Sequence, residues 1–488
     1  MQPRNQKPYW ILVGVIALLA AGLMFYAQTD AFAWDEGFHM LTAQLITRGK
    51  RPWIDFNFSQ TPLNAYWNAV WMIVFGQSWR TAHAVATIMT AAATLLTADY
   101  LFVRFPIATW RFAAAMMATL IIALNVLVVQ YGPLGQAYGL ALFLVVGAFR
   151  CAVLAVDRSS PALSAAAGLL SAAAAGCTQL TSPVCPILLI WILVCNRTGK
   201  RPAKFIAFIV AATIPMLPVA WLFAQGPRQA FFNIIQYNLI FRQVEWSGAI
   251  EHDIGVMLSW LHSAQALLIG LLALAGLISA RKFTQPERRE FYLCAWLSLG
   301  IGAFISSAHP TFQRYYLFAL PFLTILATAG MYWLSSRIFA ERRFWPIFAL
   351  ALLFSLELGK ALYDKHDNVN WRDLEKIAAK VDQVTPADAA VLADEPIYFL
   401  TRRPPPSGME LADSHKLDFP PLQAAALHLV SESEILKQLK SGRYPTAVDC
   451  GKGHKLTEDE FRKLYRQSEE TDICTVYWDF KPAAPQRN

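Results

Sequence analysis

The residues best equipped for chemistry come early, at Trp34-Asp35-Glu36-Gly37-Phe38-His39, directly after an apolar run. Adjacent residues point to different sides of a helix. Asp35 and Glu36 therefore cannot be the facing carboxylates of a retaining glycosidase. One working base with one supporting acid is the chemistry this spacing allows. Helix capping competes with it, because a carboxylate at a helix start gains ~0.3–1 kcal/mol from the helix dipole. Arg314, at the start of a late apolar run, offers a fixed fork of donors that suits phosphate oxygens; its ordinary alternative is interfacial anchoring. Arg242, in the segment 225–255, is a second phosphate candidate. His39 and His309 are candidate ligands with polar surface as their simpler fate, and Glu245, Glu251, His252 and Asp253 read as solvated loop residues.

The elements that must position these groups are membrane helices. Apolar residues make up 56% of the 488 and charged residues 16%, against about 25% charged in a typical globular chain. The apolar residues gather in runs of about 17–25, the length that crosses ~30 Å of hydrocarbon. About eleven spans are expected, at 9–28, 79–103, 110–130, 138–156, 161–179, 182–195, 205–224, 256–279, 291–307, 315–334 and 344–362. Alternate connections are basic: Arg4 and Lys7; Arg104; Arg150 and Arg158; Arg197, Lys200, Arg201 and Lys204; Arg281, Lys282, Arg288 and Arg289; Arg337, Arg342 and Arg343. By the positive-inside rule these are cytoplasmic, as is the N-terminus, and residues 363–488 lie outside. The net charge of +8 thus reflects topology, and no basic, aromatic-interleaved patch suggests nucleic acid. Ala31-Phe32-Ala33 imitates a signal-peptidase site, but the preceding run is long for a signal peptide, so an uncleaved first span is expected.

Between the first two spans, the outer loop 29–78 carries two helical patterns. Residues 37–48 place Phe38, Leu41 and Leu45 on one side and stop at Gly49, while 62–75 begin with Pro62 and carry Trp67 and Trp71. Two short helices lying on the membrane surface are expected. The division is a transmembrane domain, 1–362, and an outer α/β domain, 363–488. The latter has helices at 371–383, 432–440 and 458–467 (the last opened by a Thr457/Glu460 capping box). Strands are expected at 390–393, 447–448 and 473–480. This tail shows no catalytic set and reads as an accessory domain. Cys450 and Cys474 lie in it and can pair in an exported segment; the other five cysteines sit in or beside apolar runs.

Asp35-Glu36 followed by Asp55-Phe56-Asn57-Phe58-Ser59-Gln60-Thr61-Pro62-Leu63 resembles the first outer loop of GT-C glycosyltransferases. The bacterial branch related to protein O-mannosyltransferases and to the transferase that adds aminoarabinose to lipid A is the nearest in pattern. His309-Pro310-Thr311-Phe312-Gln313-Arg314-Tyr315-Tyr316-Leu317-Phe318-Ala319-Leu320-Pro321 resembles a late span of the same enzymes. The resemblance implies a polytopic α-helical enzyme of a bacterial inner membrane, with a periplasmic α/β tail. Such an enzyme is an inverting transferase that takes one sugar from a polyprenyl-phosphate carrier. The acceptor is lipid A or lipopolysaccharide core, another glycan, or a protein. Asp35 stands at the family's base position, and Glu36 orients it or helps hold a metal. Arg314 and Arg242 meet the donor phosphate. His39, Asp55, Gln60, Tyr131, Gln136, His309 and Tyr315 are the substrate-binding candidates. The first loop lacks the histidine or second proline that several relatives carry, having Gln60-Thr61 there. The connection 130–136 lacks the second acidic motif, for which Glu245, Glu251, His252 and Asp253 of the loop 225–255 are the substitutes to weigh against plain solvation. A divalent metal, with Glu36 and His309 as candidate ligands, is therefore an open expectation. Two other functions fit a polytopic chain. A flippase predicts charges within spans or paired broken helices, and a lipid-linked glycan polymerase or ligase predicts long outer loops with several arginines.

Overall fold

The apolar runs fold as helices. A computed structural model describes residues 6–195, 201–338, 344–366, 368–451, 458–471 and 473–481. Arg4, Arg197, Lys200, Arg342 and Arg343 of the basic connections, and Thr457 of the expected capping box, lie outside the described residues. In chain order the helices are α1 (Gln6–Thr29), α2 (Glu36–Thr47), α3 (Leu63–Phe75), α4 (Trp79–Arg104), α5 (Arg111–Ala123), α6 (Val126–Tyr131), α7 (Tyr138–Asp157), α8 (Pro161–Cys177), α9 (Val184–Cys195) and α10 (Arg201–Gln225). There follow α11 (Pro227–Phe231), a π-helical segment Phe232–Phe241, α12 (Ala249–Leu258), α13 (Ala264–Ser279), α14 (Gln285–Ser306), α15 (Leu320–Ile338) and α16 (Phe344–Tyr363). The tail adds α17 (Trp371–Val384), α18 (Glu395–Thr401), α19 (Pro421–Ala426), α20 (Glu432–Lys440) and α21 (Glu458–Leu464). The chain divides into two compact units, Met1–Ala31 with His83–Val219 and Gly248–Asp367, and Phe32–Ala82 with Ala220–Ser247 and Asn368–Asn488.

The first unit is a helical bundle. Among the described residues of the whole chain, seven helices are long and apolar enough to cross a membrane, and three shorter apolar helices cover 108–123, 161–177 and 179–195. The expected span 291–307 lies within α14, which opens with four charged residues and is less apolar as a whole. Two expected spans are interrupted. The run 110–130 breaks at Leu124, where Asn125 turns out of the helix and accepts the Leu127 amide at 3.0 Å to cap α6. The run 256–279 breaks after α12, and Ser263 caps α13 through the Ala266 amide at 3.2 Å. Apolarity alone does not reveal either cap; a short polar side chain that satisfies free amides does. Elsewhere Ser160 precedes Pro161 and accepts the Leu163 amide, which starts α8.

Helices α13 and α15 pack backbone to backbone. A Cβ placed on Gly276 would lie 1.9 Å from the Leu326 carbonyl oxygen, and one on Gly330 equally close to that of Leu272. Only glycine permits this approach, the device that joins helices where water supplies no hydrophobic drive.

The second unit holds α2, α3 and the tail. Gly49, at φ +80°, ends the expected first helix of the loop. In α3 the residues Val70, Ile73, Val74 and Phe75 are exposed while Asn64 and Asn68 are buried. This is the reverse of a helix on a water-facing surface, and it suits one lying against lipid. The segment 225–255, expected as a loop, is largely helical. In the tail, Asn370 and Asp373 form a complete capping box at the start of α17. Strands β1 (Val391–Leu392), β2 (Thr446–Asp449), β3 (Tyr465–Glu470) and β4 (Thr475–Phe480) make a sheet of order β1-β2-β4-β3, with only β1 and β2 parallel. The helix expected over 458–467 stops at Leu464, because Tyr465–Glu470 pairs with β4 and its ladder takes those amides. Asp449 pairs with Thr475 at the sheet end, and next to it Cys450 and Cys474 are joined as a disulfide.

Candidate active site

In the second unit, α2 places the acids. Asp35 occupies the N-cap position in αR backbone conformation (φ −59°, ψ −15°) and makes no capping hydrogen bond. That geometry removes the simplest structural account of it, since a cap side chain needs extended backbone to reach the second or third amide. Glu36 is wholly buried and accepts the Trp371 indole N–H at 3.0 Å. Trp371 in turn stacks on Trp79, ring centroids 6.0 Å apart. The one residue between these acids and Phe38 is Gly37, and a Cβ there would lie 2.4 Å from Pro396 Cγ. The start of α2 therefore lies against Asp394-Glu395-Pro396 at the start of α18. Gln44 adds a bond to the Phe399 carbonyl at 2.9 Å.

Glu395 is buried and accepts the Ala412 amide at 2.7 Å. Burial foremost, then the Asp413 and Asp35 charges against the pull of backbone hydrogen bonds, push its carboxyl up to about 7. The Tyr237 hydroxyl is buried and has no hydrogen-bond partner among the described residues. Burial raises its pKa, and the fields of Asp413, Arg242, Glu395 and Asp35 all reach it. Arg242 follows the π-helical segment, its carbonyl receiving the Lys416 ammonium. Asp35 and Arg242 thus both act electrostatically on Tyr237, which packs with Leu411 and, at the edge of that cluster, Phe38. Glu395, Asp413 and Tyr237 share these surroundings and were missed. The apolar surroundings of Tyr237 hide it, and a lone Asp-Glu-Pro at a strand end looks like a turn.

The remaining loop candidates have structural partners. Asp55 is held by Arg51, side chain to side chain at 3.0 and 3.1 Å and by the Arg51 amide at 2.8 Å. The Arg51 hydrogen bond foremost keeps that carboxyl below its ordinary range. His39 is buried, stacked on Phe38 at 4.3 Å and edge-on to Phe58 at 5.9 Å, so it is not the surface histidine expected. Gln60 is half-buried at the loop's end. Asn57 is buried with neither amide atom bonded among the described residues. The loop itself is tied down by Trp53 to the Phe58 carbonyl, and by Asn233 and Asn238 to Phe58 and Ser59.

In the first unit, Arg314 lies over three aromatic rings, Phe312 at 4.4 Å, Tyr315 at 5.7 Å and Tyr131 at 6.0 Å. Lys365 stands over the same Tyr131 at 5.6 Å and donates to Gln130 at 2.9 Å. Much of the Lys365 side chain touches solvent, yet the protein around its ammonium and then the Arg314 charge hold it below the usual lysine range. Two cations that repel across one aromatic ring make a place for an anion. Gln136 is buried nearby in sequence, its amide nitrogen unbonded among the described residues. Beside Arg314 in sequence, Gln313 and Tyr316 line a cavity of about 350 Å³ that also takes in Trp260, His262 and Lys360. His309 is no bare surface histidine. Its Nδ1 bonds the buried Asp253 carboxylate, whose other oxygen takes the Thr311 amide at 2.7 Å. His252 meets the Thr311 carbonyl at 3.0 Å, so α12 holds the segment 309–311 just before Arg314. Of the acids expected to be solvated, Asp253 is therefore structural.

Glu36 gives an oxygen to Trp371 and His309 gives Nδ1 to Asp253. Among the described residues there is no group of three or more metal-ligating side chains. The described residues do not fit a metal centre.

With this geometry in hand, the whole chain can be set against solved structures. ArnT from Cupriavidus metallidurans, solved with undecaprenyl phosphate bound, superposes with a TM-score of 0.66 at 14% identity, covering 97% of this chain and 99% of that one. The fold is that of ArnT. Its apo form gives 0.65 at 14% identity, over 95% and 97% of the two chains. The apo oligosaccharyltransferase from Archaeoglobus fulgidus gives 0.51 at 13%, over 91% of this chain and 70% of that one. No protein-family model matches the chain, and no curated protein sequence does. The ArnT-like fold accounts for both the helical bundle and the small sheet of the tail, and it makes the chain a polytopic membrane protein.

Proposed function

We propose that this chain is a membrane glycosyltransferase of the GT-C type, which moves one sugar from a polyprenyl-phosphate carrier to an envelope acceptor with inversion. The observation that carries the reading is the ArnT fold over essentially the full length of both chains, in a neighbour that binds undecaprenyl phosphate. In such a transfer an acceptor hydroxyl attacks the anomeric carbon as the bond to the carrier phosphate breaks. The proton leaves with a base, an effect worth ~10²–10⁴ in rate. The phosphate departs as an anion and needs no general acid, only cations to receive its charge. Asp35, without a capping bond, takes the role of base, and buried Glu36 fixes the helix start beside it. Arg314 with Lys365 receives the phosphate; the repulsion between them is what an anion relieves. The Cys450–Cys474 disulfide supports an outer, oxidising location for the tail.

The test uses the purified protein with an undecaprenyl-phosphate-linked sugar. Asp35→Asn should lose transfer by about 10²-fold or more while still binding undecaprenyl phosphate; a folded variant that transfers at the full rate sinks the assignment. Mass spectrometry of envelope lipids and glycoproteins from a deletion strain should show the loss of one sugar mass from a single product. A C-terminal tag protected from protease added outside would overturn the orientation.

A further inference from the structure

The tail does more than accompany the acid-bearing loop. Its helix α18 starts against the start of α2, with Pro396 in the space that a side chain at residue 37 would need. Trp371 and Phe399, also of the tail, hold Glu36 and Gln44. This fixes Glu395 with its Oε1 tied to the Ala412 amide and its side chain buried. Tyr237, on the π-helical segment, packs in one apolar cluster with Leu411, the residue before the Ala412 that Glu395 holds, and with Phe38 of α2 against it; the charges of Asp35 and Asp413 reach Glu395, and those of Asp413, Arg242 and Asp35 reach Tyr237. The remaining helix packed on α18 is α17, which meets it through the neutral Trp371, 5.7 Å from the Phe399 ring. A buried tyrosine hydroxyl without a partner among the described residues, set among these carboxylates, is a polar atom waiting for a ligand.

We propose that Glu395 is a positioning residue for Asp35, set by the fold of the tail so that a substrate hydroxyl entering this cluster meets Asp35, Glu395 and the Tyr237 phenol together. This rests on the reading of Asp35 as base. Carboxyls that share a site separate their tasks by environment, one charged and one protonated. Glu395, its carboxyl pushed up to about 7, carries its proton below that pH and can then donate a hydrogen bond to a group held beside Asp35. Raising the pH ionises Glu395 and places a second charge beside Asp35, which withdraws the donated bond and repels an anionic acceptor.

Infrared titration of the full-length protein in lipid nanodiscs, between about pH 5 and pH 9, reads this without any transfer assay. A protonated-carboxyl band should titrate near 7, vanish in Glu395→Gln, and titrate at lower pH in Asp35→Asn, where the like charge is gone. Glu410, a buried carboxyl also pushed up to about 7, is assigned separately through Glu410→Gln. If the Glu395 band is absent, or its midpoint ignores Asp35→Asn, the proposal falls. The pH profile of transfer adds the functional half. Glu395→Gln, which keeps the shape and the Ala412 bond, should lose the alkaline decline of the transfer rate, while Glu395→Ala should be slow throughout. An unchanged profile in Glu395→Gln overturns the positioning role. Full transfer by Asp35→Asn with the infrared coupling intact would instead remove the base assignment and leave the coupling standing.

Discussion

At the scale of single residues, the cations and acids make separable predictions. Arg314→Ala should weaken binding of undecaprenyl phosphate by about 10–100-fold, the worth of ~1.5–3 kcal/mol for a hydrogen bond to a charged group. Lysine at that position should restore charge without the planar fork or its stacking on Phe312, and so recover only part of it. Lys365→Met should weaken the same ligand and, by removing a like charge, stabilise the unliganded protein slightly; calorimetry and thermal unfolding read the two effects. Asp35 and Arg314 stand out as candidates in the sequence because each has a residue type that needs explaining where it stands. Lys365 does not, since a lysine just past the end of an apolar run passes for an anchor. Its neighbours Gln130 and Tyr131 are remote in sequence. Glu395 was illegible for a related reason: more than three hundred residues separate it from Asp35.

Elements are where the sequence was read best, and where glycines decide. Periodicity located α2 and α3, the body of α17 and most of the apolar helices, since each depends on residues within a turn or two. What it missed are competitions settled locally by a polar cap (Asn125, Ser263) or at a distance by a strand partner (β3 against β4). Gly37→Ala puts a methyl where Pro396 stands and should cost ~1–3 kcal/mol by overpacking. It should cost activity as well, because the start of α2 must shift. Gly330→Ala should likewise destabilise the bundle by forcing α13 and α15 apart, yet leave the titration of Glu395 untouched. Comparing the two variants by thermal unfolding and by infrared titration separates damage to the fold from damage to the acid cluster.

For the molecule as a whole, the two buried carboxyls tie stability to pH. Glu395 and Glu410 are both raised by burial from an ordinary 4.5 to about 7. The native state therefore keeps protons that the unfolded chain has already released. Their burial costs nothing below pH 4.5 and destabilises increasingly as pH rises toward 7, on the order of a few kcal/mol per group when complete. The thermal midpoint of the purified protein should fall across this range, and Glu395→Gln or Glu410→Gln should each flatten the fall. The second unit has one further consequence. It is assembled from residues 32–82, 220–247 and 368–488, so the opening acids acquire Trp371, Pro396 and Glu395 only when the last quarter of the chain has been made. Order of synthesis then matters: a ribosome paused between the end of α16 and residue 371 holds a chain whose long apolar helices are already made, yet lacks the partner of Glu36. On the proposed reading, an unfinished copy stays inactive until its tail has folded.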